Sequence, residues 1–185
     1  MGSSIADLVL LIAPDTFSFP PASLISVTES VILAALRQWG PTRIDLLEVR
    51  CGLERRGLRQ GALKRLTASG MLLLQRGGRI TLAPEYNQAA KIVAIEAKLT
   101  KWRDALDQAI LYRRYADESF VLLPRHTAAP AIKAIKEFRR AGVGLLVATD
   151  TEVTTILEAA QTTAHDWRRD FVVSRLFSNR QRPSV

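Results

Sequence analysis

Apolar positions run unbroken through Ile92-Val-Ala-Ile and then stop at Glu96-Ala-Lys98, a carboxylate and an ammonium two residues apart. A continuous apolar run of this length predicts a strand buried on both faces, over 91–98. Alternation along a strand puts Glu96 and Lys98 on the same side of it. From there the pattern alternates between helix and strand: helix 100–115, strand 119–124, helix 128–141, strand 143–149, and an edge strand at 153–157. That order is α/β. A last amphipathic helix is predicted over 163–177, ahead of a polar tail. Upstream, Ile5 to Ile12 reads as a short buried strand carrying Asp7 near its start, and Pro14, Pro20 and Pro21 then interrupt regular structure.

Between these parts the period changes. Val31, Ile32, Ala35 and Leu36 predict a helix beginning at an N-cap Thr28 and stopping at Gly40-Pro41. A second helix fits 43–49. A third fits 57–69, with Leu58, Ala62, Leu63 and Leu66 inward and Gly70 at its end. Two short apolar runs, 71–75 and 79–83, joined through Arg76-Gly77-Gly78, predict a hairpin. Three helices followed by a basic-tipped hairpin resemble a winged helix-turn-helix over 24–86. The domain reading is therefore an α/β core from 1–14 and 88–185, with 24–86 inserted into it.

Charge sharpens the picture of the insert. The chain carries a formal +8, and the window from Arg37 to Arg79 holds ten Lys or Arg against Asp45, Glu48 and Glu54. A basic block inside a folded unit suits a polyanion, and DNA is the leading partner. Arg56, Arg59, Gln60 and Lys64 on the third helix, with Arg76 and Arg79 on the wing, are the groups placed to touch phosphates or base edges. A winged helix that binds protein is the competing use of the same shape.

Composition narrows the chemistry. Apolar residues make up 48% of the chain, enough for one core or two small ones. A lone Cys51 excludes an internal disulfide and a cysteine-rich zinc module. With only His126 and His165 available, a bound metal would be held by oxygen. No apolar run approaches the roughly 20 residues that span a bilayer, which points to a cytoplasmic protein. The opening Met1-Gly2-Ser3-Ser4 has the composition of an engineered leader as much as of a native start.

Glu96 and Lys98 admit two readings: a structural ion pair at a strand end, or a phosphodiesterase site in which a carboxylate holds a cation and an ammonium steers water or phosphate. Gln108 and Tyr112, at i, i+4 on the following helix, can reach that strand end together. Taken singly they read as an exposed glutamine and a core tyrosine, and His126 reads as a loop histidine.

Together, Asp7 within Ile-Ala-Asp-Leu-Val-Leu, Glu96-Ala-Lys98 and the helix carrying Gln108-Ala-Ile-Leu-Tyr112 resemble the PD-(D/E)xK, or restriction-endonuclease-like, nuclease superfamily. The resemblance is to its Holliday-junction-resolvase and RecB-type branches, with their Q-x-x-x-Y helix, and it covers 5–12 and 88–150. It implies a restriction-endonuclease-like mixed sheet flanked by helices. It also implies Mg²⁺ or Mn²⁺ held by Asp7 and Glu96 with the carbonyl of residue 97, and Lys98, Gln108 and Tyr112 as further catalytic residues. That family normally places a helix and a first strand before the aspartate, and only six residues precede Asp7. The long separation of Asp7 from Glu96 is accounted for by the inserted winged helix. The function implied is a metal-dependent DNA endonuclease or nuclease subunit, with a homodimer as the arrangement suited to cutting both strands. The alternative is a catalytically inactive winged-helix DNA-binding regulator or assembly partner on a nuclease-like core.

Overall fold

The computed structural model describes residues 6–12, 25–53, 61–87, 91–163 and 166–180. It divides into two compact units. One takes Met1–Ile12 with Lys91–His165, the other Ala13–Ala90 with Asp166–Val185.

The first unit opens with β1 (Leu8–Ile12), and the second supplies α1 (Val27–Trp39), β2 (Thr42–Arg43), α2 (Ile44–Cys51), α3 (Leu63–Ala68), β3 (Leu72–Gln75) and β4 (Arg79–Leu82). The chain then returns to the first unit as β5 (Lys91–Ala97), α4 (Trp102–Tyr112), β6 (Glu118–Pro124), α5 (Ala129–Lys133), α6 (Ile135–Ala141), β7 (Gly144–Ala148) and β8 (Val153–Leu157). Helix α7 (Arg168–Arg180) closes the described chain.

The first unit is α/β, with a mixed five-stranded sheet in the order β1-β5-β6-β7-β8 flanked by helices. Strands β5, β6 and β7 run parallel, while β1 and β8 pair antiparallel at the two edges. Parallel neighbours need a crossover, and α4 supplies it between β5 and β6. Its buried side, Trp102, Ala105, Leu106, Ala109 and Tyr112, recurs at helical spacing. Trp102 stacks on Phe138 of α6 with ring centroids 5.8 Å apart. Ser119 at the start of β6 donates its hydroxyl to the Ala109 carbonyl at 2.6 Å, tying helix to strand. Ile92, Ala94 and Glu96 share the α4 side of β5, because residues of one parity face one way. Val93, Ile95 and Phe120 cluster on the opposite side. Gly144 belongs there too: a Cβ on it would overlap the Phe120 ring, so only glycine fits.

Three expectations for this unit need correction. The first strand is not buried: among the described residues it sits at the sheet edge, paired with β5 alone, and Leu8, Leu10 and Ile12 are exposed. The helix expected over 128–141 is two helices, parted at Ala134. The last helix belongs with the other unit, where buried Asp170 accepts both guanidinium nitrogens of Arg37 at 2.8 Å and the Tyr86 hydroxyl at 2.7 Å. A carboxylate 2% exposed needs such partners, and they lie far away in sequence.

The second unit packs Ile32, Leu33, Leu36, Leu47, Leu66, Met71 and Ile80 into one core. Its sheet is antiparallel, in the order β2-β4-β3. Helix α1 begins one residue after Ser26 rather than at an N-cap Thr28. Ser26 has a glutamate three residues on, and the reciprocal box forms: Glu29 N–H donates to the Ser26 hydroxyl at 3.2 Å, and Ser26 N–H to the Glu29 carboxylate at 2.7 Å. Thr28 is followed at that spacing by Val31, which cannot reciprocate. Among the described residues no helix is long and apolar enough to cross a membrane.

Candidate active site

Antiparallel pairing of β1 with β5 brings Asp7 to Glu96. Leu8 sits across from Ile95, so Asp7, one residue earlier, falls beside Glu96 at the strand end. Its Oδ2 accepts the Ala97 backbone N–H at 3.0 Å. A residue pair separated by the whole insert thus meets at one point, between the two charged members of the Glu96-Ala-Lys98 triplet.

Glu96 is 2% exposed. A buried carboxylate is tolerated only with compensating donors, and it has one on each oxygen. Lys98 Nζ lies 2.6 Å from Oε1, and the Tyr112 hydroxyl donates to Oε2. The Glu96 hydrogen bond is the main cause holding the Lys98 ammonium above its ordinary value, and the charges of Glu96, Asp7 and Asp104 add to it. Lys98 is therefore a firm cation at neutral pH, at a half-exposed position between buried carboxylate and solvent.

Behind the strand, Tyr112 is fully buried and Tyr115 is 5% exposed, with their rings 5.9 Å apart. Gln108, one turn before Tyr112 on the same face of α4, holds its amide oxygen out of solvent without a hydrogen-bond donor. An orphaned buried acceptor costs about 1–3 kcal/mol, which makes Gln108 more than an exposed polar residue. On the solvent side, the Thr127 hydroxyl donates to the Leu99 carbonyl at 2.6 Å. That bond draws the loop bearing exposed Arg125 and His126 to the end of β5.

Of the predicted catalytic set, Asp7, Glu96, Lys98 and Tyr112 come together, and Gln108 shares the helix face. Of the predicted DNA-contacting set, Lys64, Arg76 and Arg79 are exposed on the second unit, on α3, in the hairpin turn and at the start of β4. Arg56, Arg59 and Gln60 lie outside the described residues. Sequence reasoning missed Asp104, whose charge reaches Lys98, and Tyr115, whose only signal was a second tyrosine three residues after Tyr112.

As metal donors the site offers two carboxylates. Among the described residues no group of three or more His, Cys, Asp or Glu is placed to hold an ion. Two carboxylates suit a hard cation that keeps most of its waters or takes substrate oxygens, as Mg²⁺ does, and not a closed protein cage. Each carboxylate oxygen has two acceptor sites, so the donors already on Glu96 leave room for a cation.

No family model matches the chain, and no curated protein matches it. Among solved structures, a protein of unknown function from Silicibacter pomeroyi is similar to it, with 22% identity and a TM-score of 0.37 over 62% of this chain and 77% of that one.

Proposed function

We propose that the chain is a metal-dependent DNA endonuclease or nuclease subunit of the PD-(D/E)xK type, hydrolysing phosphodiester bonds. One observation carries the reading: the Asp7 carboxylate sits on the Ala97 N–H, inside the triplet whose Glu96 and Lys98 are themselves paired. A structural ion pair would need only Glu96 and Lys98. The second carboxylate, from another strand, adds negative charge at a strand end already holding one, a costly arrangement that a divalent cation would relieve.

Asp7 and Glu96 would hold that cation, Mg²⁺ or Mn²⁺, with the carbonyl of residue 97. Bound there it would lower the pKa of a water and stabilise charge on the phosphate. Lys98, kept protonated by Glu96, would orient the attacking water or neutralise the developing phosphorane charge. Tyr112 holds Glu96 in its rotamer, and Gln108 offers its unpaired amide oxygen to water or to the site's polar shell.

The sheet order supports a restriction-endonuclease-like core, since an antiparallel pair bearing the carboxylates is followed by a parallel strand reached through α4. Among the described residues from Val27 to Leu82 the second unit runs helix, strand, helix, helix, strand, strand with a three-stranded sheet, an order that supports the winged-helix reading, in which Lys64, Arg76 and Arg79 would contact DNA phosphates. Cytoplasmic residence and a homodimer suit this activity.

The alternative, an inactive DNA-binding regulator or assembly partner, is favoured by the two donors that already satisfy Glu96 without metal. Incubating the purified chain with single-stranded, duplex and branched DNA in Mg²⁺ or Mn²⁺ decides between them. The expected result is metal-dependent cleavage abolished by Glu96→Ala and Lys98→Ala. Metal-independent binding without cleavage, or cleavage indifferent to both substitutions, would overturn the nuclease reading.

A further inference from the structure

Strands β5 and β6 end beside each other, and each carries a cation where it leaves the sheet. Parallel pairing sets Glu96 across from Val121 and Ala97 across from Leu122, so side chains at matching levels point the same way on both strands. Glu96 faces α4, where Tyr112 reaches it, and Val121 and Leu123, both fully buried, share that face. Arg125 is next in the same alternation. Its backbone N–H donates to the Ala148 carbonyl at 2.9 Å, which carries the β6–β7 pairing one residue past Pro124, and Arg125 itself is exposed. Lys98 and Arg125 thus emerge on one face at the carboxyl ends of neighbouring parallel strands, the end at which open α/β sheets take their ligands.

The loop that follows Arg125 is tied to the site. The Thr127 hydroxyl donates to the Leu99 carbonyl at 2.6 Å and the Thr127 N–H to the Pro124 carbonyl at 3.0 Å, which fixes the turn after Arg125 against the residue after Lys98. Neighbouring strands lie about 4.8 Å apart and two further residues of strand add about 6.6 Å, so the Lys98 and Arg125 backbones are roughly 8 Å apart. Lys98 is engaged by Glu96 at 2.6 Å, whereas among the described residues Arg125 makes no ion pair. Its guanidinium keeps its fork of donors for an incoming anion, and phosphate matches that fork.

We propose that Arg125 is a substrate-binding residue of the first unit: its guanidinium grips the DNA phosphate adjoining the one presented to Glu96 and Lys98. That the neighbouring phosphate is the scissile one rests on the nuclease reading above; the contact of Arg125 with DNA does not. A grip on a phosphate that does not react is the same before and during the reaction, so its loss acts on KM more than on kcat.

The test is Arg125→Ala in the full chain, with circular dichroism to establish that it folds. Fluorescence anisotropy with a labelled branched DNA, without divalent metal, should show affinity lower by roughly 10-fold and the slope of log affinity against log salt reduced by about 1. Arg125→Lys, which keeps the charge and loses the fork, should restore the slope and part of the affinity. Arg140→Ala makes the same change of charge on α6, ahead of the opposite end of β7, and should leave affinity within about 2-fold of wild type. In cleavage with Mn²⁺, Arg125→Ala should raise KM roughly 10-fold with kcat changed by less than about 2-fold. Unchanged affinity in Arg125→Ala, an equal loss in Arg140→Ala, or a fall in kcat with KM unchanged overturns the proposal. If the wild type cleaves nothing but Arg125→Ala still loses affinity and slope, the nuclease reading falls and the DNA contact of Arg125 stands. A wild type that neither binds nor cleaves DNA overturns both.

Discussion

Removing the Tyr112 hydroxyl isolates what one donor contributes to a buried charge. In Tyr112→Phe the ring stays in its fully buried place and Glu96, 2% exposed, loses the donor on Oε2 while Lys98 still holds Oε1. A buried acceptor left without its partner costs about 1–3 kcal/mol, and bonds to charged groups lie at the upper end. The expected loss is about 2 kcal/mol, or roughly 4–8 °C in Tm for a chain of this length. Glu96→Gln should cost less in the Tyr112→Phe background than in the wild type, because the hydroxyl that favoured the charge is already gone. A coupling of roughly 1–2 kcal/mol is expected from the double-mutant cycle. Urea unfolding read by Trp102 fluorescence, in a Trp39→Phe and Trp167→Phe background, reports on the unit that holds the site. A Tyr112→Phe loss below about 0.5 kcal/mol, or additive costs in the cycle, would refute the claim that Tyr112 carries the Glu96 charge.

Further outcomes follow from the same physics. The chain's three tyrosines are Tyr86, Tyr112 and Tyr115, and burial pushes Tyr86 well above the ordinary phenol value of 10.0 and Tyr115 to about 12. The folded state thus keeps protons that the unfolded chain releases near pH 10, so stability should fall as pH rises from there toward 12; tyrosinate absorbance of more than one phenol growing in with a pKa near 10 while the chain is still folded would contradict this. Asp170→Ala should cost about 3–5 kcal/mol in urea unfolding read from the Trp39 and Trp167 unit, because it leaves Arg37 without its bidentate partner and Tyr86 without its acceptor; a loss below about 1 kcal/mol would show that α7 is held by other contacts. Lys64→Ala and Arg79→Ala should each weaken DNA binding across sequences and lower the slope of log affinity against log salt by about 1; an unchanged slope removes those residues from the interface.

How far the sequence spoke depended on the range of the forces involved. The buried run 91–98, the amphipathic face of α4 and the glycine hairpin are local patterns of burial and backbone geometry, so they could be read residue by residue. The Glu96-Ala-Lys98 triplet with Gln108 and Tyr112 was legible for the same reason, since strand alternation and one helical turn place them. Edge position was not legible: β1 has the composition of a core strand, and only the pairing order puts it at the edge of the described sheet. The assignment of α7 depended on Asp170 finding Arg37 and Tyr86, contacts between distant parts of the chain that leave no periodic trace. Strand β2, two residues long, is too short to carry any pattern. Tyr115 stayed hidden because a lone tyrosine after a helix looks like any other core residue.

Cation binding by the full chain tests the central claim most directly. In a Mn²⁺ titration followed by electron paramagnetic resonance, without DNA, the wild type should bind the ion, and Asp7→Asn and Glu96→Gln should each lose that binding by roughly 10-fold or more while keeping wild-type circular dichroism. Equal binding in all three proteins would place the ion elsewhere and contradict the assignment of Asp7 and Glu96 as its ligands.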